Sequence, residues 1–160
     1  MPDDRYDRDV LAWSQHQAAL LRRLAHGERV TVVDWEHVVE EIEDAGLSQF
    51  NLVQSYRRLM LVHLLKVHAW PHSVAAGHWR GEILSFQAGA AQRYLPSMRQ
   101  RIDLARLYGL ALRQVAKIAD GDGDPVRTPD TCPFTPEQLL REDSDVLEAR
   151  LRASPADQTE

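Results

Sequence analysis

The sequence predicts an all-α protein: a single-domain bundle of four to five main helices, followed by a short C-terminal helix. Apolar residues recur every three to four positions along most of the chain, and only residues 28–33 resemble a strand. Glycine and proline, which interrupt helices, occur only eight times each, so few breaks in the predicted helices are expected. The 160 residues, 44% hydrophobic and 27% charged, suit one soluble domain, expected over residues 1–152 with a flexible tail at 153–160.

The first two helices are predicted from apolar stripes and their end signals. The first is expected from Asp4 to about His26, because Gly27 follows where a left-handed cap would lie. The second is expected from Asp34, a good N-cap residue, to about His68. It is either one long helix or two helices broken at Gly46. We favour one helix, since an interior glycine costs only about 1 kcal/mol.

The remaining elements are placed by proline and capping residues. A third helix is expected to begin between Ser73 and His78. A fourth should run from Pro96 to about Ala119, because proline fits the first turn of a helix. Residues 120–130 have the composition of a loop. The short last helix should follow Thr135, which forms a T-x-x-Q capping box with Gln138.

Several classes of protein are excluded by composition. Cys132 is the only cysteine, so a disulfide-stapled or cysteine-rich zinc scaffold is excluded, and a cytoplasmic location is expected. The acidic N-terminus does not resemble a signal peptide. The longest apolar stretch, Leu59 to Leu65, is far shorter than the ~20 residues that span a bilayer, so no membrane association is expected. Walker, GxGxxG, HExxH and GxSxG motifs are absent.

Charge is unevenly distributed along the chain. Glu28 to Gly46 contains seven acidic residues and one basic residue, whereas Leu47 to Ala119 contains ten basic and two acidic residues. Such runs are typical of solvated faces or of binding surfaces. A basic stripe on the predicted fourth helix comprises Arg99, Arg106, Arg113 and Lys117. The stripe lacks interleaved aromatic residues, so nucleic-acid binding is only the third hypothesis, after protein binding and an enzyme activity.

The candidate site is a polar cluster that helix packing could assemble from Glu40, Glu41, Glu43, His63, Lys66 and Arg80. Helical rotation places Glu40 and Glu43 beside the apolar stripe and Glu41 on the opposite flank. We expect a polar network in which these acids pair with Arg80, Lys66 or Arg57. The weaker alternative is a divalent metal held by Glu40 or Glu43 with His63. The Glu-x-x-His spacing of di-metal bundles is absent, so no cofactor is assigned.

Arg57 and His63 are singled out because they lie on or beside the apolar face of the predicted second helix. Arg57 lies on its inward line and needs a carboxylate partner, expected among Asp7, Asp9 or Glu43. His63 is expected to be a hydrogen-bonded core histidine. Trp13, Trp70 and Trp79 are expected in the core, and Trp35, at the start of a helix, is expected to be half exposed.

Four segments resemble the bacterial and cyanobacterial family named "domain of unknown function 29". They are Tyr6-Asp7-x-Asp9 with Trp13 and Gln17; Val39-Glu40-Glu41-Ile42-Glu43-Asp44-x-Gly46; His63-Leu64-Leu65-Lys66 followed by Trp79-Arg80; and Cys132-Pro133-Phe134-Thr135 with Glu137-Gln138-Leu139-Leu140. The family often ends the last motif with Asp-Glu-Asp followed by an aromatic residue and proline, whereas this chain reads Arg141-Glu142-Asp143-Ser144. The extension from Ser144 is therefore expected to dock differently or not at all. The resemblance implies a compact helical domain and no assigned activity.

The sequence favours a non-catalytic interaction module that binds another protein, or a second copy of itself, through a helical face. The expected contact elements are the acidic stretch Glu36 to Asp44 and Trp35. The alternative is a small-molecule or metal-dependent enzyme with its site around Glu40, Glu43, His63 and Arg80. The third hypothesis is nucleic-acid association through the basic stripe.

Overall fold

The computed structural model describes residues 5–118 and 123–154, which contain helices and no β-strand. The predicted all-α class is therefore confirmed. The chain divides into two compact units, residues 1–48 and 49–160. The single domain over residues 1–152 and the number of bundle helices stay predictions. The predicted tail beyond residue 154 and residues 119–122 of the predicted fourth helix and loop lie outside the described ranges. No described helix is both long and apolar enough to cross a membrane.

The first unit contains α1 (Arg5–Arg8), α2 (Val10–Ala25) and the beginning of α3 (Trp35–Ala69). The prediction of one helix up to His26 is wrong in one respect, since the chain breaks at Asp9. The backbone of Asp9 is extended (φ −155°), and its carboxylate accepts a hydrogen bond from the Ala12 amide at 2.9 Å, so a new helix begins there. Gly27 has the predicted positive φ, +83°.

Helix α3 is continuous over 35 residues, which corresponds to about 52 Å. Of the two alternatives for this segment, one long helix is therefore the observed one. A Cβ atom built on Gly46 would meet no atom within 4 Å, so neither close packing nor a positive φ requires glycine there.

The second unit contains the rest of α3, then α4 (Ala76–Arg93), a 3₁₀ helix (Pro96–Arg101) and α5 (Leu104–Val115). The start of α4 falls inside the predicted window. The prediction of one helix from Pro96 to Ala119 is wrong. The Asp103 carboxylate accepts a hydrogen bond from the Arg106 amide at 2.9 Å and starts a separate helix. The break also divides the predicted basic stripe, and Arg99 pairs with Glu137 at 2.9 Å.

The C-terminal part forms two helices where one was predicted, α6 (Pro136–Arg141) and α7 (Ser144–Ala153). The predicted capping box between Thr135 and Gln138 is present. The break follows α6, where Glu142 is extended and its carboxylate is bound by Arg150 at 2.6 and 2.7 Å. The extension from Ser144 does dock, because its apolar side chains enter the core of this unit.

The core of the second unit is built from the second half of α3 and from the helices that follow it. Its fully buried members are Met60, Leu61, Leu64, Leu65, Ile83, Ala111, Leu139, Leu147 and Leu151. Gly89 on α4 permits the closest approach, since a Cβ there would lie 3.0 Å from the ring of Tyr56 on α3. The helices of this unit are therefore positioned by close packing.

Candidate functional site: an acidic, apolar helix face

The residues of the predicted polar cluster belong to two different units. Glu40, Glu41 and Glu43 lie in the first unit, and His63, Lys66 and Arg80 lie in the second. Glu40 and Glu43 are exposed side chains of the first unit. Glu41 is partly buried and accepts a hydrogen bond from the Tyr6 hydroxyl at 2.8 Å. Its role in the first unit is therefore to hold α1 against α3, on the flank opposite to Glu40 and Glu43.

Arg80, in the second unit, has a different carboxylate partner from those predicted. Its Nε and Nη2 atoms donate to the two carboxylate oxygens of Glu148 at 2.8 and 3.0 Å. The Glu148 side chain is buried, and Arg152 approaches the same carboxylate at 3.5 Å. The hydrogen bonds that Arg80 donates to Glu148 raise the pKa of Arg80. The expected pairing of Arg80 with Glu40, Glu41 or Glu43 is therefore wrong.

The sequence contains one signal for this pair in the apolar repeat of α7. Glu148 lies between Leu147 and Leu151 on the apolar face of α7. A carboxylate in such a position is buried with its neighbours and requires a cation. The sequence separation of 68 residues hides which cation it is.

His63 and Lys66 make local contacts in the second unit. The Nδ1 atom of His63 lies 2.9 Å from the Leu59 carbonyl oxygen, to which the ring N–H donates, and its ring lies 5.4 Å from that of Phe86. Burial lowers the pKa of His63, so the neutral form is favoured at pH 7. The ammonium of Lys66 lies 4.3 Å from the centroid of the Trp79 ring, a cation–π contact.

The described residues contain no group of three His, Cys, Asp or Glu side chains that could hold a metal ion. Structural metal sites in proteins need about four ligands, and catalytic zinc sites about three from the protein. The weak metal candidates Glu40, Glu43 and His63 stay a prediction without geometric support.

Arg57 is buried as predicted, but its predicted carboxylate partner is wrong. Its side chain is 0% exposed, and Nε, Nη1 and Nη2 have no hydrogen-bond partner in the part of the chain that the structure describes. The guanidinium lies 5.1 Å from the centroid of the Tyr94 ring. Burial lowers the pKa of Arg57. This guanidinium is therefore compensated mainly by a cation–π contact, which is a weaker partner than a carboxylate.

A cluster that the sequence did not reveal holds the first unit together. We call Tyr6, Trp13, Gln17, Asp34 and His37 the aromatic clasp. Asp34 Oδ2 accepts from Trp13 Nε1 at 3.0 Å and contacts His37 Nδ1 at 2.7 Å, and the Asp34 amide donates to Gln17 at 3.0 Å. The Tyr6 and His37 rings stack with centroids 3.9 Å apart. Tyr6, Trp13 and Gln17 belong to the first segment that resembles the family, and this resemblance is the sequence signal for the clasp.

The clasp shifts the pKa values of its members in a consistent way. The hydrogen bond to Glu41 raises the pKa of Tyr6 to about 12. Burial alone would raise the pKa of Asp34, but hydrogen bonds from His37 and Trp13 outweigh it and lower the value. The hydrogen bond with Asp34 raises the pKa of His37. The clasp is therefore an ion pair with aromatic walls when His37 is protonated.

The first half of α3 carries an exposed apolar face, which we call the α3 stripe. It comprises Trp35, Val39 and Ile42, which are 57%, 51% and 68% exposed, and it ends at Gly46. Spacings of four, three and four residues place all four positions on one line of the helix. The predicted half-exposed state of Trp35 is confirmed, and Val39 and Ile42 are exposed beside it.

One side of the α3 stripe is strongly acidic. Glu36, Glu40 and Glu43 follow it one position further around the helix, and all three are exposed. On the opposite side, Val38 is buried and Glu41 is hydrogen-bonded to Tyr6. The α3 stripe is therefore an exposed apolar line with a row of carboxylates along one edge.

Comparisons with known proteins identify the family of the chain and a similar helical fold. The family described as "Domain of unknown function DUF29" matches residues 5–144. A crystal structure of an alpha-helical protein of unknown function from Rhodospirillum rubrum is similar, with 28% sequence identity and a TM-score of 0.69. The match covers 94% of this chain and 98% of that one. No curated protein matches the chain.

Proposed function

The chain belongs to the DUF29 family, whose description names no activity, and we propose from its side chains that the protein is a non-catalytic interaction module. In this proposal the α3 stripe binds an amphipathic helix of a partner protein whose polar edge is basic. The observation that carries the proposal is the exposure of Trp35, Val39 and Ile42 on one helical line.

The energetic argument rests on burial of these three side chains. Complete burial of a large apolar side chain stabilises by roughly 1.5–3 kcal/mol relative to full exposure. Each of the three is about half to two-thirds exposed, so a partner that covers them gains several kcal/mol before the cost of association. Tryptophan is also enriched among the residues that dominate binding energies. An i, i+4, i+7 line is the pattern by which paired helices contact each other.

Charge selects the kind of partner. Two copies packed through the α3 stripe would bring the carboxylates of Glu36, Glu40 and Glu43 near those of the other copy, and like charges disfavour such a pair. A helix with lysine or arginine along its edge would instead pair with these carboxylates. We therefore favour a basic partner over a second copy of this chain.

The aromatic clasp supports the proposal by fixing the helix that presents the stripe. Tyr6 and Trp13 contact α3 through His37, Asp34 and Glu41. A surface on an ordered helix loses less conformational entropy on binding than one on a loop. The enzyme alternative around Glu40, Glu43, His63 and Arg80 stays a prediction, and the bonding of Arg80 to Glu148 does not favour it.

A designed peptide tests this function. The probe is a synthetic amphipathic peptide of about 18 residues, with leucine on one face and lysine on the other. Fluorescence anisotropy of the labelled peptide should increase on addition of the protein. Ile42→Ser should weaken binding about tenfold or more, because it removes an apolar contact at the centre of the stripe. The variant should fold normally, since Ile42 is exposed.

Leu84→Ser is the matched control, because Leu84 is a similarly exposed apolar residue on α4. It should leave binding within twofold of the original protein, as expected for a residue outside the interface. A scrambled peptide of the same composition controls for non-specific charge attraction. Equal binding of both peptides, or equal effects of the two variants, would contradict the proposal. Dimerisation of the protein that Ile42→Ser abolishes would identify a second copy as the occupant instead.

A further inference from the structure

A groove lies between α3 and α5 in the second unit, with a volume of about 330 Å³. Its α3 wall includes Asn51, Gln54 and Arg58, and its α5 wall includes Arg106, Leu107 and Leu110. This volume is at the lower end of the range of small-molecule sites, roughly 300–1,000 Å³. The groove is therefore large enough for a small ligand.

The groove combines two positive charges with neutral hydrogen-bonding groups. None of the described side chains that line it is a carboxylate. The guanidinium of Arg58 is oriented by a hydrogen bond from Nη1 to Gln114 Oε1 at 2.7 Å, and its other N–H groups can still donate. Arg106 makes no ion pair with any other described residue. Asp103, the acid closest to Arg106 in sequence, accepts a hydrogen bond from the Arg106 amide at the start of α5.

We propose that this groove binds a small organic phosphate. The phosphate would lie between the guanidinium groups of Arg58 and Arg106, which match phosphate geometry and stay charged at every physiological pH. The amides of Asn51 and Gln54 supply further donors. Leu107 and Leu110 provide an apolar wall for the organic part of the ligand. The chemistry of the groove favours a phosphate monoester over a monocarboxylate, because the two positive charges of the arginines match a dianion and its three terminal oxygens accept more hydrogen bonds than two.

The test is calorimetric titration of the full chain at low salt with three probes: inorganic phosphate, phenyl phosphate and adenosine monophosphate. At least one organic phosphate should bind, and more tightly than inorganic phosphate. Adenosine, which lacks the phosphate, should bind at least tenfold more weakly than its monophosphate. Arg58→Gln and Arg106→Gln should each weaken binding tenfold or more.

Arg141→Gln is the matched control, since it removes the same charge from an exposed position on α6 outside the groove. It should change the affinity less than twofold. Arg106 is exposed and unpaired with described side chains, so its variant tests the site even if Arg58→Gln affects folding. Ile42→Ser should leave phosphate binding unchanged, so that this proposal and the proposed function fail separately.

Three results would overturn the proposal. One is the absence of binding of all three phosphate probes at millimolar concentration. Another is equal weakening by Arg141→Gln and by the groove variants, which would indicate general charge attraction. The third is binding of a single-stranded oligonucleotide with none of the small phosphates, which would favour the nucleic-acid hypothesis.

Discussion

The two halves of α3 have the same apolar periodicity and opposite surroundings. In the first half, Trp35, Val39 and Ile42 are more than half exposed. In the second half, Val53, Met60 and Leu64 continue the same line and are completely buried. A helical repeat of apolar residues therefore identifies a face, and the neighbouring elements decide whether that face is core or surface.

The difference also separates two uses of charge. Along the first half, carboxylates beside the apolar line remain solvated. In the second half, Arg57 is fully buried within its unit and has no hydrogen-bond partner among the described residues. The first arrangement keeps its charges hydrated, and the second costs stability.

Replacement of one apolar side chain by alanine in each half of α3 gives the largest expected difference in the free energy of unfolding. Leu64→Ala should lower the free energy of unfolding by about 3 kcal/mol, because it removes buried atoms and leaves a cavity. Ile42→Ala should change it by less than about 0.5 kcal/mol, because Ile42 is exposed. Urea unfolding monitored by circular dichroism measures both. Similar losses in the two variants would contradict the assignment of core and surface.

Replacement of the buried cation gives the next largest effect. Arg57→Met should raise the free energy of unfolding by roughly 1–3 kcal/mol, because methionine fills the space without a desolvated charge. Chemical denaturation of the two proteins measures the change. A clear loss of stability in Arg57→Met would mean that the contact with Tyr94 more than offsets the cost of burial.

Two glycines sharpen the comparison further. Gly89→Ala should destabilise by roughly 1–2 kcal/mol, because the new Cβ would lie 3.0 Å from the Tyr56 ring on the buried half of α3. Gly46→Ala should stabilise by up to about 1 kcal/mol, because alanine favours the helix and nothing lies nearby. Thermal unfolding of both variants should therefore shift in opposite directions, and shifts of the same sign would count against this packing.

The smallest expected effect is the pH dependence of the aromatic clasp. The pKa of His37 is raised in the folded state, so its contribution to stability is complete below about pH 6.5. The contribution is lost as the pH rises through the folded-state pKa. Asp34 acts in the opposite direction, and its contribution is lost only as acid protonates a carboxyl whose pKa is lowered.

Thermal unfolding between about pH 6 and pH 8 measures the histidine effect. His37→Asn should flatten the profile, whereas His72→Asn, which changes an exposed histidine, should preserve it. Identical profiles for the original protein and His37→Asn would contradict the role of the clasp.

Much of the fold follows from the sequence by local physics. The class, the continuous α3, the positive φ of Gly27 and the Thr135 capping box depend on neighbouring residues only. The breaks at Asp9 and Asp103 were missed because the apolar repeat continues through them, although an aspartate that can cap the third amide after it is a start signal.

The candidate site was harder to predict because it depends on contacts between distant residues. The Glu148 carboxylate accepts hydrogen bonds from Arg80, which is 68 positions away in the sequence, and no spacing rule predicts such a pair. Exposure of Trp35 was expected from its place at the helix start, but Val39 and Ile42 lie within the repeat. Their exposure among the described residues, and not their spacing, distinguishes them from core residues.

Acrylamide quenching of tryptophan fluorescence measures directly whether a basic amphipathic helix covers the α3 stripe. Trp35 is exposed, whereas Trp13, Trp70 and Trp79 are buried, so quenching reports mainly on the α3 stripe. We predict that the basic amphipathic peptide protects Trp35 from acrylamide and that its scrambled form does not. Unchanged quenching at saturating peptide, or equal protection by both peptides, would contradict the account.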